Sequence, residues 1–441
     1  MTAKVVLAKL TKDKFIRDNI IVFSGGMAAS FLNYLFHPVL SRMMSVQDFG
    51  EVQALLSLYN NLILFLGMFG TVVINIIANT DPDDERAMRE NMAVITVLKK
   101  VAVWISFALF LAVAALSFRL QEFFRFQSFW PFIALAPSVL ISAWFGFRRA
   151  YLRGMLDFKA TVLADILTSA ARLLLAAFLV WLGLRSFGAI AGVVASMLVG
   201  FAYVYARSRS GFRYVQGVRV RLDERMKGEL RFGLLILVVS LTTMALGTAD
   251  VLVVKHFFPP TDAGLYGGVA IIARIVMYVT GSVTAVLLPS IKLRQTVDEH
   301  QTLLRKALAI TLLLGGATLT LFTAAPRLVL KMLIGSKYAV AAGLLPPLGL
   351  LMLLVAVTNM FFSYHLALRQ YFTAAVGAAG LALIFALSCL NHATLTAVIC
   401  DFMIGTAAML AVFIFRWLRL IWRRRLTVLA GQTAAPIRPS S

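Results

Sequence analysis

Hydrophobic residues lie in long blocks along this chain, separated by short polar segments. A helix needs roughly 20 mostly apolar residues to cross a bilayer, and twelve blocks come close to that length. They are residues 19–41, 54–78, 101–118, 130–147, 161–182, 187–206, 232–254, 265–291, 307–325, 344–366, 371–388 and 394–415. The pattern predicts an all-α, polytopic membrane protein of about twelve spanning helices.

The composition agrees with this prediction. The 441 residues are 60% hydrophobic and 14% charged, whereas roughly 25% of the residues in soluble domains are charged. The net charge of +22 would indicate nucleic-acid binding in a soluble protein, but here it fits basic loops against anionic lipids. We therefore expect membrane lipids as partners and no nucleic acid. The two cysteines match no metal spacing, so we expect no metal or cofactor.

The positions of the basic residues predict the orientation of the spans. If the N-terminus is cytoplasmic, 32 of the 42 lysines and arginines fall on the inside, 8 fall on the outside and two lie within spans. Cytoplasmic loops carry such an excess of basic residues in membrane proteins. We therefore expect both termini in the cytoplasm, an even number of spans and a first span that is retained rather than cleaved.

The chain shows signs of an internal duplication. A basic segment at 207–231 separates residues 1–206 from residues 232–441, so we predict two six-helix lobes joined by a cytoplasmic linker, the second with a basic cytoplasmic tail. An Asp-x-Gly follows the first span at 48–50 and the seventh at 262–264, 214 residues later. We expect the Asp to cap the next helix and the Gly to relax its backbone. AYLRGMLDF (150–158) and SYHLALRQY (363–371) correspond at an offset of 213.

Several cations are candidates for binding an anionic substrate. A charge at bilayer depth costs roughly 2.5–3.5 kcal/mol, so an intramembrane charge is a functional candidate by default. Arg172 and Arg274 lie within predicted spans, and Arg42 and Lys255 lie at the predicted outer rim. The forked donors of arginine suit phosphate. The alternative for Arg274 is that it pairs with an acid on the first or seventh span.

Three aspartates are candidates for coupling transport to an ion. They are Asp165, Asp250 and Asp401. Asp250 has two alternative interpretations, as a partner for Arg274 or Lys255 and as a helix-end residue at the interface. Asp165 has the alternative of a structural polar tie to another helix.

The chain resembles a known family at three places. The carrying residues are SRMMSVQDFGEVQALLSLY after the first span, YLRGMLDF after the fourth, and ADVLVVKHFFPPTDAGLYGGVAIIARI ending in VLLPSI. In these it is similar to the polysaccharide-transporter branch of the multidrug/oligosaccharidyl-lipid/polysaccharide exporter superfamily, the Wzx-type flippases.

The resemblance implies two six-helix lobes around a central cavity that opens to one side at a time. It also implies a polyprenyl-diphosphate-linked oligosaccharide as substrate, carried across the bacterial cytoplasmic (inner) membrane for lipopolysaccharide O-antigen, capsule or exopolysaccharide synthesis. A polysaccharide polymerase and glycosyltransferases are the expected protein partners.

Three other functions remain open at this stage. A membrane-embedded glycan-processing enzyme would need a sizeable loop with catalytic acids, but DPDD at 81–84 lies in a short loop and fits a turn and helix cap. A cation-coupled multidrug exporter would need an acid-rich cavity, whereas this chain has Arg172 and Arg274 within spans. A lipid II flippase has helices beyond twelve. We therefore expect a transporter rather than an enzyme.

The orientation can be tested with reporter fusions. Because of the 32-to-8 distribution of basic residues, fusions after residues 90, 155, 220, 300 and 430 should report the cytoplasm. Fusions after residues 47, 125, 260 and 335 should report the opposite side. Two or more fusions on the wrong side would exclude the twelve-span model.

Overall fold

The computed structural model describes residues 14–78, 80, 84–209, 212, 224–290 and 297–433. Almost all of these residues are helical, and none of them forms a strand. The all-α prediction is therefore confirmed. Most of the predicted linker at 207–231 and of DPDD at 81–84 lies outside the described residues.

Sixteen α-helices are present in the described residues. In chain order they are α1 (Lys14–Met43), α2 (Val46–Leu62), α3 (Leu64–Ala78), α4 (Glu85–Ala115), α5 (Ser117–Phe123), α6 (Trp130–Gly154), α7 (Phe158–Trp181), α8 (Arg185–Ser208), α9 (Glu224–Phe257), α10 (Pro260–Ala273), α11 (Ile275–Ser290), α12 (Val297–Ala324), α13 (Pro326–Leu333), α14 (Leu345–Ala367), α15 (Phe372–Leu390) and α16 (Leu395–Thr433). A 3₁₀ helix (Ser336–Leu344) leads into α14.

The helices account for all twelve predicted spans. Within the described residues, ten helical segments are long and apolar enough to cross a membrane, and α2 with α3, bent by 44° at their break, makes an eleventh candidate. The 30-residue α1 covers the first predicted span. The helices extend past the apolar blocks, since α4 begins at Glu85 rather than at 101. Asp84 caps α4 by accepting hydrogen bonds from the backbone N–H groups of Arg86 and Ala87.

The second span of each half is interrupted. α2 ends before Ile63 and α10 ends before Arg274, and these two breaks are 211 residues apart. This separation is close to the repeat offset seen in the sequence. The break at Ile63 bends its span by 44°, whereas at both breaks the backbone N–H still donates to the carbonyl four residues earlier.

The chain forms two compact units. The first contains residues 1–274 and 321–348, and the second contains residues 275–320 and 349–441. In the first unit, α3, α4, α6 and α7 share an apolar core that includes Val73, Ile95 and Phe147. In the second unit, α15 packs on α16, and the rings of Phe361 and Phe413 stack 6.0 Å apart. The predicted division into lobes 1–206 and 232–441 stays a prediction.

The glycines of the two Asp-x-Gly motifs meet in the first unit. A Cβ atom on Gly50 in α2 would collide with the Cα of Gly264 in α10, and a Cβ on Gly264 would collide with the carbonyl of Val46. Both glycines lie inside helices. Their role is therefore to let two helices approach closely, rather than to relax the backbone of a turn as the sequence predicted.

The cap of α2 also differs from the expectation. Ser45 is the N-cap, and its hydroxyl accepts a hydrogen bond from the Asp48 N–H at 3.0 Å. The same hydroxyl donates to Asp48 Oδ2 at 2.7 Å. Asp48 thus supports the cap from the third helical position instead of forming it.

The close crossing of α2 and α10 predicts that a glycine-to-alanine substitution will destabilise the protein at Gly50 but not at Gly70. Gly50→Ala should destabilise the protein by about 1–3 kcal/mol, because the added methyl group overpacks a backbone contact. Gly70→Ala is the matched control, since nothing lies within 4 Å of a Cβ at Gly70. It should be neutral or stabilise α3 by up to about 1 kcal/mol. Thermal unfolding of the purified protein in detergent measures both, and an equal Tm for the two variants would contradict the crossing.

Candidate functional site

Arg172 holds α7 against α1 in the first unit. Its guanidinium carbon lies 4.3 Å from the ring centroid of Phe36, and Nη1 donates to Asn33 Oδ1 at 3.4 Å. Asn33 Nδ2 in turn donates to Ser169 Oγ at 2.8 Å. Stacking on an aromatic ring stabilises a partly desolvated cation. The side chain predicted to lie at bilayer depth therefore sits in a built polar environment.

His37 lies beside this arginine site on α1. Gln53 of α2 donates from Nε2 to His37 Nδ1 at 3.0 Å, which leaves the other ring nitrogen to carry the proton of the neutral imidazole. Arg172 and Arg274 both lie close enough to act on His37 electrostatically. His37 therefore senses the charge of both arginines that the sequence placed within spans, although in the described residues only Arg172 of the two is bonded to a residue of α1.

Arg274 occupies the break between α10 and α11. Its Nε donates to the Gly247 carbonyl at 2.7 Å, and Nη2 donates to Asp250 Oδ1 at 3.2 Å. The Tyr266 hydroxyl donates to Asp250 Oδ2 at 3.0 Å. Arg274, Asp250 and Tyr266 are all buried. Of the two interpretations of Arg274, the structure shows the one in which it pairs with an acid of the seventh span. Roles in substrate binding for Arg274 and in ion coupling for Asp250 stay predictions.

Arg42 and Lys337 bind the carbonyl ends of helices. Arg42 Nη2 donates to the Met332 carbonyl of α13 at 2.7 Å, and its Nη1 donates to the Pro38 carbonyl at 2.8 Å. Lys337 Nζ donates to the Met44 carbonyl at 2.6 Å, just past the end of α1. Cations favour helix C-termini, where carbonyl groups lack helical partners. Arg42 is at an exposed position, as predicted, but several of its donors are already engaged.

Lys255 is buried rather than exposed at a rim. Its side chain is 1% exposed, and Nζ lies 4.7 Å from the ring centroid of Phe126. Within the described part of the chain, Nζ has no hydrogen-bond partner. Glu51 and Asp48 are close enough to act on it electrostatically. The sequence misplaced this side chain because a lysine at the end of a span can point outward or inward.

The other two predicted coupling acids have different environments. Asp165 Oδ2 pairs with Arg149 at 2.5 Å and with Arg153 at 3.8 Å, both from α6, which corresponds to the structural-tie alternative. Asp401 of α16 is 2% exposed in the second unit. Its Oδ2 has no hydrogen-bond partner in the described residues. A coupling role for either residue stays a prediction.

Sequence reasoning missed one buried acid. Glu51 is 1% exposed and accepts hydrogen bonds from the Gln127 N–H at 2.9 Å and the Ser186 hydroxyl at 2.6 Å. It lies near the start of α2, ahead of the apolar block that begins at 54. Its position one helical turn after Asp48, on the same face, was the available signal.

The comparisons with known proteins agree with this architecture. A model of the family described as polysaccharide biosynthesis protein matches residues 15–292. The chain belongs to this family. No curated protein matches the sequence significantly.

Solved structures similar to this member of the polysaccharide biosynthesis family are transporters. An inward-facing multidrug resistance MATE family transporter of the MOP superfamily superposes with a TM-score of 0.65 and 15% identity, over 94% of this chain and 99% of that one. The lipid II flippase MurJ gives a TM-score of 0.64 and 12% identity, over 89% and 87%. A MOP superfamily transporter from Pyrococcus furiosus, described as having a binding pocket of reverse polarity, gives 0.52 and 14%, over 91% and 93%. This chain therefore shares the fold of these transporters.

The buried ion pair between Arg274 and Asp250 predicts how the stabilities of the single and double variants compare. Arg274→Met should destabilise the protein by about 3–5 kcal/mol, because Asp250 would keep a buried charge without its partner. Adding Asp250→Leu should recover most of this loss, since an apolar pair needs no partner. Thermal unfolding of the two single variants and the double variant gives the coupling energy. A single variant as stable as the parent would show that the pair is not a structural tie.

Proposed function

We propose that this protein moves a polyprenyl-diphosphate-linked oligosaccharide across the bacterial cytoplasmic membrane for surface polysaccharide biosynthesis. The family match and the transporter fold support transport within polysaccharide biosynthesis. The intramembrane arginines support a substrate that carries negative charge. In this proposal both termini lie in the cytoplasm, and a polymerase and glycosyltransferases act on the same substrate.

The observation that carries the proposal is the position of Arg172. It lies half-buried between α7 and α1, where Phe36 and Asn33 orient its guanidinium. A diphosphate offers oxygens in the spacing that suits the forked donors of arginine. Arg274 adds little net charge there, because Asp250 pairs with it. We therefore assign the leading role in attracting the diphosphate to Arg172, and the role of a tie between α9 and α10 to Arg274.

The remaining steps need no covalent chemistry. The lipid tail stays in the bilayer while the sugars pass through a water-filled path, because polar groups in hydrocarbon lack hydrogen-bond partners. The breaks at Ile63 and Arg274 provide two places for the spans to bend during alternating access. Of the three candidate aspartates, we assign proton coupling to Asp401, since Asp165 and Asp250 are paired with arginines in the described residues.

The same pairing weakens the multidrug-exporter alternative. A cationic drug needs uncompensated negative charge in the cavity that receives it. Asp165 is bound by Arg149, and Asp250 is bound by Arg274. Neither acid therefore offers free negative charge to a cation.

Arg172 provides the test of the proposed function. Arg172→Ala should lower the rate of glycolipid flipping in proteoliposomes by about tenfold or more, because one charge-assisted hydrogen bond of about 1.5–3 kcal/mol is lost. Arg172→Lys should retain part of the rate, since it keeps the charge but not the fork. Flipping is measured with a fluorescent polyprenyl-diphosphate oligosaccharide and an extravesicular quencher.

Arg86→Ala is the matched control, because the Arg86 side chain is 90% exposed in a surface pair with Glu90. It should flip at the parental rate. If Arg172→Ala also flips at that rate while folding normally, Arg172 does not bind the substrate. A parent protein that moves no lipid-linked sugar at all would refute the proposed function.

A further inference from the structure

A cavity with a largely apolar wall and a few polar groups lies in the first unit, where the beginnings of α2, α6 and α8 meet at ends predicted to face the outside. Its volume is about 480 Å³, within the roughly 300–1,000 Å³ of small-molecule sites. The wall includes Asp48, Glu51, Gln127, Trp130, Arg185 and Phe187. We call it the outer cavity.

The polar groups of the outer cavity provide both acceptors and donors. Glu51 accepts one hydrogen bond on each carboxylate oxygen, and each oxygen can accept a second. Asp48 receives the Ser45 hydroxyl on Oδ2, which leaves Oδ1 for another donor. Arg185 Nη1 donates to Gln127 Oε1 at 3.2 Å, and the other guanidinium N–H groups are additional donors.

The backbone at Arg185 is held in an unfavourable conformation. Its φ is 44°, in the left-handed region that residues with a side chain rarely adopt. Such strain persists only where the surrounding structure fixes it, often at ligand sites. The strain and the hydrogen bond to Gln127 together fix this arginine at the cavity wall.

The charges of the outer cavity balance. Asp48 and Glu51 contribute two negative charges at the wall, and Arg185 contributes one positive charge. Lys255, buried close by, acts electrostatically on both acids. A near-neutral site attracts neither a phosphate nor a metal cation strongly. In the described residues, no group of three or more His, Cys, Asp or Glu side chains is placed to hold a metal.

An exposed aromatic ring completes the site. Trp130 is 55% exposed and stacks on Phe129 with centroids 4.8 Å apart. Acceptors, donors and an aromatic surface in a near-neutral pocket match a sugar, which carries hydroxyl groups around its rim and C–H groups on its face. We propose that the outer cavity is a carbohydrate subsite that holds a neutral sugar residue of the transported oligosaccharide. The link to that substrate rests on the proposed function, whereas the carbohydrate chemistry rests on the cavity itself.

Free sugars test the subsite without any transport step. The full chain in lipid nanodiscs is titrated with glucose, galactose, mannose, rhamnose and N-acetylglucosamine, and binding is detected by saturation-transfer NMR. At least one sugar should give a signal. Trp130→Leu should weaken its binding about tenfold, the effect of losing a strong aromatic contact. Glu51→Gln should weaken it as well, because an ionised acceptor is lost.

Trp181→Leu is the matched control. Trp181 is the last residue of α7 and lies two residues before Gly183 in the cavity wall; it is 72% exposed, but it does not line the cavity. It should bind sugar like the parent. The proposal is overturned if none of the five sugars binds. It is also overturned if Trp130→Leu and Trp181→Leu lose sugar binding equally, because that result would mean that both tryptophans act by anchoring the protein at the membrane interface rather than by contacting the sugar. A protein that flips glycolipid but binds no free sugar refutes only the subsite. A protein that binds sugar but flips nothing refutes only the proposed function.

Discussion

The cost of a charge inside a bilayer is the constraint on which this structure depends. An ionised side chain there must find a partner, because hydrocarbon offers no water to solvate it. The chain meets this need with pairs between helices: Asp165 of α7 with Arg149 of α6, and Asp250 of α9 with Arg274 at the end of α10. Each pair fixes the rotation of two helices relative to each other. Arg172, which lies between α7 and α1 on Phe36 and Asn33, is then a charge to examine for function.

The two copies of the Asp-x-Gly repeat contact each other where α2 crosses α10. Corresponding glycines of the two halves, Gly50 and Gly264, meet where α2 and α10 pack without intervening side chains. Contact between equivalent positions is expected where a two-fold relation brings two copies of one motif together. The breaks at Ile63 and Arg274 follow the crossing by about four turns in α2 and three in α10. Each of these helices thus combines a close-packed end with a break.

The sequence predicted the class of fold well and the site in part. Twelve apolar blocks sufficed for the spans, because a membrane helix must cover about 30 Å of hydrocarbon. Helix ends such as Glu85 were missed, since α4 continues into polar surroundings where hydropathy carries no signal. The sequence also placed Arg172 and Arg274 in helices that are long and apolar enough to cross a membrane.

What could not be predicted depended on distances between helices. Arg274 could reach an acid or a ligand, and only the packing of α10 on α9 shows that it binds Asp250. Lys255 was placed at a rim, but the fold turns it inward toward Phe126. Glu51 was overlooked because its partners, Gln127 before α6 and Ser186 in α8, are far away in sequence. A local pattern of hydrophobic and polar residues does not show which side chains the fold will bury, or which distant residues they will bond to.

The two candidate sites differ in charge, and this difference bears on how a carrier releases its ligand. Arg172 lies nine residues before the end of α7, which is about 14 Å along the helix axis. In the proposed mechanism, a ligand with its anionic group at Arg172 extends its neutral part toward this end of α7. A transport site must bind its ligand strongly enough to admit it and weakly enough to let it leave. A cavity in which Lys255 and Arg185 offset Asp48 and Glu51 recognises hydroxyl groups without the Coulomb attraction that would trap a diphosphate. In the proposed mechanism, such a site can therefore guide a sugar out without retaining its charged end.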